Sequence, residues 1–238
     1  MWRCSMSDTR IYALNTADWT NDYSMVQQLS DFGEPYAVKC PAFLIDHPEG
    51  NLLFDTGVSW DMKQDPHDYG PNGAPHMEAH VYNIDMTEDD YIANQVEDIG
   101  FSPSEIDHVI MSHLHCDHAG GISDFPDSEF LVQQAELNYA WWPRNPIQQA
   151  FYVEGDFTKL RDPDFNVTAI EGQHGVLGDD SVVTIPTSGH TEGHQSLTVE
   201  LADRTVILGA DISHTWEGYG PELLASFNWN NSKAVESL

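Results

Sequence analysis

The chain has 238 residues, of which 40% are hydrophobic and 11% aromatic, a composition typical of a folded globular protein and not of a disordered one. Its 39 acidic residues outnumber 9 lysines and arginines, and the net charge of −30 argues against nucleic acid or an anionic membrane as a partner, because phosphate groups bind to basic surfaces. No apolar run approaches the roughly 20 residues of a membrane span and no secretory leader is recognisable, so we expect a soluble, cytoplasmic protein.

Strand segments dominate the first part of the chain. Apolar runs predict strands at residues 11–14, 42–45 and 51–54, and the turn residues between the last two predict a hairpin. Thr87 is expected to cap a helix that ends at Gly100.

The rest of the chain contributes one buried strand and then a second group of strands. The buried strand is predicted at residues 108–111, and a helix is predicted at residues 134–142. Further strands are predicted at residues 129–132, 182–185, 196–201 and 205–208. Two groups of strands separated by helices, without a repeat or a low-complexity linker, favour an α+β fold. We expect a four-layer αββα sandwich in one domain over residues 1–238.

Four candidate metal ligands directly follow the strand at residues 108–111, within six positions. They are His113, His115, Asp117 and His118. Imidazole and carboxylate groups are ligands of zinc and similar divalent metals, and a loop at the end of a strand is rigid enough to position them. Cys116 lies between inward-pointing ligands, so we expect it to face away and pack in the core.

Further candidate ligands come from three other strand ends. His190 and His194 lie on a glycine-containing loop between two predicted strands. Asp211 follows the strand at residues 205–208, and Asp55 follows the strand at residues 51–54. The six-residue cluster does not complete a two-metal site by itself, so these residues are candidates for the remaining positions.

The histidine cluster, together with His190 and Asp211, resembles the ligand series of the metallo-β-lactamase superfamily. Four motifs, at residues 54–57, 86–90, 112–121 and 188–196, occur in the order seen in N-acyl homoserine lactonase-like proteins. The resemblance extends over about residues 11–238. The His-x-His-x-Asp-His element is highly specific for the superfamily, and the later motifs favour the lactonase-like branch.

This resemblance implies a centre of two divalent metal ions. Zinc is favoured, and iron, manganese and cobalt also accept these ligands. One ion would be held by His113, His115 and His190. The second would be held by Asp117 and His118, with Asp211 bridging the two ions.

The resemblance also implies roles around the metals. A hydroxide shared by the two ions would be the nucleophile, and Asp117 would pass its proton to the leaving alkoxide. Asp55 and His194 would lie behind the ligands and orient their imidazoles.

The chain departs from the lactonase-like pattern at two points. The branch carries a final histidine well after the bridging aspartate, whereas no histidine follows His214 here and the chain stops at Leu238. On this ground we expect a C-terminally incomplete sequence whose second ion binds more weakly. The lactonases place a tyrosine that assists the substrate carbonyl where this chain has His214, so the imidazole is expected to contact the substrate, bind a metal or line the pocket.

The sequence therefore predicts a metal-dependent hydrolase that opens an ester-like bond, with a lactone favoured as its small-molecule substrate. A thioesterase resembling glyoxalase II and a catalytically impaired metal-binding homologue are the alternatives, because both would carry most of the same ligands. A mononuclear-iron dioxygenase also stays open. The sequence does not fix the oligomeric state, and a homodimer is compatible with it.

The charge pattern indicates the solvent in which the protein works. Acidic residues recur from Asp8 to Glu236, and only four residues are lysine. A uniformly acidic, lysine-poor surface is expected in concentrated salt, where screening removes most of the self-repulsion. We therefore expect a halophilic source.

Overall fold

The computed structural model describes residues 8–219 and 223–238. The strands within these residues are β1 (Arg10–Asp22), β2 (Pro35–His47), β3 (Gly50–Phe54), β4 (Ile84–Asp85), β5 (His108–Ile110), β6 (Glu129–Gln133), β7 (Asn166–Ile170), β8 (His174–Gly175), β9 (Val182–Pro186), β10 (Gln195–Glu200) and β11 (Thr205–Leu208). The α-helices are α1 (Tyr23–Val26), α2 (Trp60–Gln64), α3 (Glu78–Val81), α4 (Ile92–Asp98), α5 (Cys116–Ala119), α6 (Gln134–Ala140), α7 (Pro146–Gln149), α8 (Glu154–Phe157) and α9 (Asn231–Ser237). None of these helices is long and apolar enough to cross a membrane.

The strands form two sheets. The larger sheet has the order β4-β1-β2-β3-β5-β6-β7, and the smaller one has the order β11-β10-β9-β8. Strands β3, β5, β6 and β7 run parallel to one another, whereas the smaller sheet is antiparallel throughout. Because β3 and β5 are parallel neighbours, the segments that follow them, with Asp55 and with residues 112–118, leave the sheet at the same edge.

Two apolar layers hold these sheets in place. One layer lies between the sheets, where side chains such as Phe54, Ile110 and Leu131 of the larger sheet pack with Val182 and Leu197 of the smaller one. Successive side chains of a strand point to opposite faces of the sheet, so Leu53 and Val109 lie on the other face of the larger sheet. There they pack against helical residues, among them Ile92 and Val96 of α4. The strand ends that carry the candidate ligands are therefore fixed by a buried core on both faces of the larger sheet.

The α+β sandwich predicted from the sequence is confirmed, and so is the hairpin, which pairs β2 with β3. The predicted helix between Thr87 and Gly100 is instead divided. A 3-10 turn at Glu88–Asp90, capped by Thr87, is separated from α4 by Tyr91 in an extended conformation. Strands β4, β7 and β8 were not predicted, because two of them have only two residues and the alternation in β7 is weak.

Candidate metal centre

Two loops bring most of the candidate ligands together. One loop follows β5 and carries His113 and His115, and the other joins β9 to β10 and carries His190. Gln195, at the start of β10, fastens one loop to the other: its backbone N–H donates to Ser112 O at 2.9 Å and its side-chain amide donates to Met111 O at 2.7 Å. These two hydrogen bonds of Gln195 tie the loops together independently of the metal ligands.

Three imidazole nitrogens converge on one point. His190 Nε2 lies 3.2 Å from His113 Nε2 and 3.0 Å from His115 Nδ1. For metal–nitrogen bonds of about 2.0–2.1 Å, the ligands of a tetrahedral ion lie roughly 3.3 Å apart, so this spacing fits a bound zinc ion. A single cation would accept the lone pairs of all three nitrogens, which makes a metal ion the chemically consistent occupant.

The protonation of this group also suits a metal. Burial, together with the neighbouring imidazoles, lowers the pKa of His113 and of His190 well below the usual value, and burial lowers the pKa of His115 to about 3. A neutral imidazole keeps the lone pair that a metal ligand needs. The three side chains are therefore in their ligating form at any physiological pH.

A second ligand group adjoins the first. His118 Nε2 lies 3.2 Å from Asp211 Oδ1 and 3.7 Å from Asp117 Oδ2. The other oxygen of Asp211, Oδ2, lies 3.3 Å from His190 Nε2 in the first group. The two oxygens of Asp211 thus face different groups, so this carboxylate could contribute a ligand atom to each.

The second group differs from the first in its charge. Burial disfavours the charged form of His118, but the carboxylates of Asp211, Asp117 and Asp55 outweigh it and raise the pKa of His118 well above its usual value. Burial opposes ionisation of Asp211 as well, but the nearby imidazoles, His118 first, hold its pKa well below the usual range. Burial raises the pKa of Asp117. Three carboxylates around one imidazole give this group an excess of negative charge, which favours a bound cation.

Asp55 lies directly behind the second group. Its Oδ2 lies 2.8 Å from His118 Nδ1 and accepts a hydrogen bond from Ser112 Oγ, while its Oδ1 accepts from the Ser112 backbone N–H, both at 2.7 Å. The residue adopts a left-handed backbone conformation with φ of 63°, which aspartate tolerates better than most residues. When His118 Nδ1 carries the proton, it donates to Asp55, and Nε2 is left to face Asp117 and Asp211.

His194 lies against the backbone of Asp211 and beside two of the ligand imidazoles. Its Nε2 accepts a hydrogen bond from the backbone N–H of Asp211 at 3.1 Å, and its Nδ1 lies 3.1 Å from Thr187 O. Burial lowers the pKa of His194 to about 4, so the ring is neutral and can accept in this way. Within the described part of the chain it forms no hydrogen bond to a ligand imidazole, but its ring lies beside those of His113 and His190, with centroids 5.3 and 5.9 Å apart, and its hydrogen bond holds the backbone of Asp211.

His214 lies at the edge of the centre, where its Nε2 is 2.9 Å from Asp211 Oδ2. It lines a cavity together with His115, Asp117 and Asp211. The rest of the cavity is walled mainly by apolar side chains, which are Trp19, Val26, Val38, Phe151 and Phe227. The arrangement therefore places polar, metal-ligating groups at one end of a largely apolar cavity.

Two buried residues with no predicted role also contact the centre. Gln148 of α7 places its Oε1 3.2 Å from His115 Nε2, and its amide nitrogen donates to His190 O at 3.0 Å. Glu136 of α6 accepts hydrogen bonds from both ligand loops. Neither residue lies near the histidine motif in sequence. A glutamate beside apolar residues in the first turn of a predicted helix is the only signal, and it is a weak one.

Comparison with known proteins agrees with this geometry. The profile of the metallo-beta-lactamase superfamily matches residues 35–238. The N-acyl homoserine lactonase AttM of Rhizobium radiobacter is 30% identical over 236 residues, covering 98% of this chain and 87% of that protein. The lactonase AiiA of Bacillus thuringiensis subsp. kurstaki is 28% identical over 219 residues, covering 92% and 81%. A solved N-acyl homoserine lactone hydrolase, with N-hexanoyl-L-homoserine bound at its catalytic metal centre, superposes with a TM-score of 0.78 at 28% identity, covering 95% and 84%.

Proposed function

The chain belongs to the metallo-β-lactamase superfamily, and we propose that it is a metal-dependent hydrolase that opens the ring of a lactone. The observation that carries the proposal is the position of Asp211, whose two oxygens face His118 on one side and His190 on the other. This position supports one dinuclear centre, in which the carboxylate would join the two ligand groups at the end of a largely apolar cavity.

Two divalent ions, zinc by preference, fit the residues present. The first would be held by His113, His115 and His190, and the second by Asp117 and His118, with Asp211 shared. Once bound, such ions supply an activated water and polarise the carbonyl of the substrate.

The chain's own residues would handle the proton. Asp117 lines the cavity at its polar end, where a carboxylate can accept a proton and return it. We propose that Asp117 takes the proton of the attacking water and returns it to the ring oxygen as the acyl–oxygen bond breaks. The products are then one hydroxy acid and no second fragment.

We propose that His214 assists the carbonyl oxygen of the substrate. It lines the cavity beside Asp117, and its imidazole can donate a hydrogen bond toward negative charge that develops there. The Nε2 atom of His214 lies within hydrogen-bond distance of Asp211 Oδ2, and this contact would hold the ring in place when no substrate is bound.

The cavity wall supports an acylated lactone as the substrate. Trp19, Phe151 and Phe227 offer an apolar surface next to the polar end, which suits a substrate with a hydrocarbon chain attached to a small polar ring. AttM and AiiA are N-acyl homoserine lactonases, and this wall favours the same substrate class here.

Incubation of the zinc-loaded protein with N-hexanoyl homoserine lactone tests the proposal. We expect stoichiometric release of acid and a single hydroxy-acid product, and we expect the activity to disappear on chelation and in His113→Ala. A thioester substrate provides the contrast, because release of a free thiol at a higher rate than lactone opening would favour the glyoxalase II-like alternative. Zinc-loaded protein that hydrolyses neither compound would contradict the proposal and favour a metal-binding role.

Three further properties remain proposals. We propose that the protein works in concentrated salt, which its charge of −30 and its four lysines support. A cytoplasmic location and assembly as a homodimer stay predictions, which fractionation of the native cells and sedimentation of the purified protein would test.

A further inference from the structure

Glu136 is a glutamate in the interior of the protein. Its exposed fraction is 0%, although a glutamate is almost never fully buried without partners. It lies in the first turn of α6, directly after β6, and belongs to neither ligand loop. Burial raises the pKa of its carboxyl group, whereas the donors around it act in the opposite direction. Burying an apolar side chain at this position would cost less free energy than burying a carboxylate. A role other than packing is therefore expected for Glu136.

Both oxygens of this carboxylate are used. Oε1 accepts from the Leu114 backbone N–H at 3.0 Å and from the Tyr152 hydroxyl at 2.7 Å. Oε2 accepts from the Thr191 hydroxyl at 2.7 Å and from the Gly193 backbone N–H at 3.1 Å. All four partners are donors, which is the environment that an ionised carboxylate needs.

The two oxygens serve different ligand loops. Leu114 stands between His113 and His115, so Oε1 anchors the first loop at its centre. Thr191 directly follows His190, so Oε2 anchors the second loop next to its ligand. Tyr152 adds a further contact, since its ring packs edge-on against the imidazole of His115 with centroids 4.6 Å apart.

The approach between Glu136 and the second loop is very close. A Cβ atom on Gly193 would lie 2.1 Å from the Glu136 backbone nitrogen, so only glycine fits there. The loop therefore rests directly on the first turn of α6, and its distance from the first loop is set at this point.

We propose that Glu136 is the positioning residue of the metal centre: one buried carboxylate holds the two ligand loops at the spacing at which three imidazoles bind one ion. The inference rests on the metal centre of the proposed function, but not on the identity of the substrate. Glu136 does not touch the metal or the substrate, and it acts through the backbone of the residues beside the ligands.

A change from carboxylate to carboxamide separates this role from simple packing. Glutamine has the same shape, but only one of its two terminal atoms can accept a hydrogen bond. In one orientation the amide NH₂ group faces the Leu114 N–H, and in the other it faces the Gly193 N–H. Either orientation sets two donors against each other, so one of the loops must move away.

The experiment compares the full chain with the variants Glu136→Gln and Asp156→Asn. Asp156 is the matched control, because it is also a buried carboxylate, but the one hydrogen bond that it accepts from the described residues comes from Tyr69 Oη and not from a ligand loop. Zinc affinity is measured by competition with a chromophoric chelator, and the geometry of the first site by the visible absorption of the cobalt-substituted protein. The melting temperature of the metal-free protein is recorded for each variant.

We expect the Glu136→Gln variant to bind zinc at its higher-affinity site about 10- to 100-fold more weakly than the parent does, as is typical when a group behind a metal ligand is lost. The absorption spectrum of the cobalt-substituted variant should change as well. Asp156→Asn should retain the affinity of the parent within about twofold. Equal zinc affinity and an unchanged spectrum in Glu136→Gln, even with a lower melting temperature, would overturn the proposal and leave Glu136 with a packing role. An equal loss in both variants would overturn it as well.

Two milder variants keep the test decisive if Glu136→Gln does not fold. Thr191→Val and Tyr152→Phe each remove one donor and keep the backbone bonds to the carboxylate, so each should weaken zinc binding by a smaller factor. Unchanged affinity in both would contradict the proposal. A protein that binds zinc as expected but opens no lactone would refute the proposed function and leave the role of Glu136 intact.

Discussion

The interior position of Asp156 predicts a loss of stability as the pH rises. Its side chain is buried, Oδ1 accepts a hydrogen bond from Tyr69 Oη at 2.7 Å, and Oδ2 has no hydrogen-bond partner among the described residues. Burial is the main cause that raises the pKa of Asp156 from its ordinary 3.8 to about 8. The carboxyl group is therefore protonated and neutral at pH 7 in the folded protein, while it is ionised in the unfolded chain.

The sign and the size of the effect follow from linkage. Because the folded pKa lies above the unfolded one, the contribution of this group to stability is fully present below about pH 4, declines between pH 4 and pH 8, and is absent above that range. Each unit by which the two pKa values differ is worth about 1.4 kcal/mol, so the contribution of Asp156 to the free energy of unfolding falls by on the order of 5 kcal/mol across this range.

The substitution Asp156→Asn should remove this pH dependence. Asparagine resembles the neutral acid in shape and in charge, and its oxygen can still accept from Tyr69. We expect the free energy of unfolding of the variant to match that of the parent near pH 4 and to exceed it increasingly toward pH 8. Urea unfolding of the metal-free protein, followed by tryptophan fluorescence between pH 4 and pH 9, measures the difference.

A surface substitution provides the control for this measurement. Asp89→Asn makes the same chemical change at an exposed position, and it should leave the shape of the stability profile unchanged. Parallel profiles for the parent and for Asp156→Asn would refute the reasoning, because they would mean that the buried carboxyl group does not take up a proton on folding. Tyr69→Phe should raise the pKa of Asp156 further, since the tyrosine hydroxyl favours the ionised carboxylate. The stability contributed by Asp156 should then decline over a range that extends to higher pH.

Three further predictions concern the metal centre and the surface. Asp55→Asn should weaken binding of the second metal ion about 10- to 100-fold, because His118 Nδ1 loses its carboxylate partner. Isothermal titration with zinc measures both affinities, and two equally tight sites in the variant would contradict this prediction. His214→Phe should lower kcat for lactone opening by about 100-fold while the zinc content stays at the parent's value, and unchanged kcat would exclude a catalytic role for this imidazole. The free energy of unfolding should rise when the salt concentration is increased from 0.1 to 2 M KCl, since screening weakens the repulsion from a net charge of −30; a flat or falling dependence would contradict the proposed halophilic character.

The parts of the metal centre that could be predicted from the sequence are the ligands that lie close together along the chain. His113, His115, Asp117 and His118 lie within six positions after an apolar strand, so their proximity follows from covalent connection alone. The sandwich was predictable for a related reason, since apolar runs between turn signals mark most of its longer strands. Short strands such as β4 are held by pairing with β1, and their own residues give little indication of it.

The contacts behind the ligands could not be predicted in this way. Gln148 lies 33 positions from His115 and Glu136 lies 55 positions from Thr191, and both contacts exist only after the sheets and helices have packed. A glutamine or a glutamate in a helix is ordinarily a surface residue, so its type alone does not reveal the role. For His194, the sequence suggested an interaction with the ligand imidazoles, and its ring does lie beside two of them, but its hydrogen bond from the backbone of Asp211 was not predictable.

Hydrogen bonding distinguishes the buried carboxylates from one another. Glu136 and Asp55 use both of their oxygens, and all of their donors except the Tyr152 hydroxyl come from the segments that hold the metal ligands. Among residues 8–219 and 223–238, Asp156 has one donor and one unpartnered oxygen, so the neutral acid is its stable form in the fold. Because a buried carboxylate is costly unless donors surround it, the fully bonded pair is explained by the positions that it enforces on the ligand loops. The same difference predicts that carboxamide substitution weakens metal binding at Glu136 and Asp55, whereas at Asp156 it raises stability above pH 4.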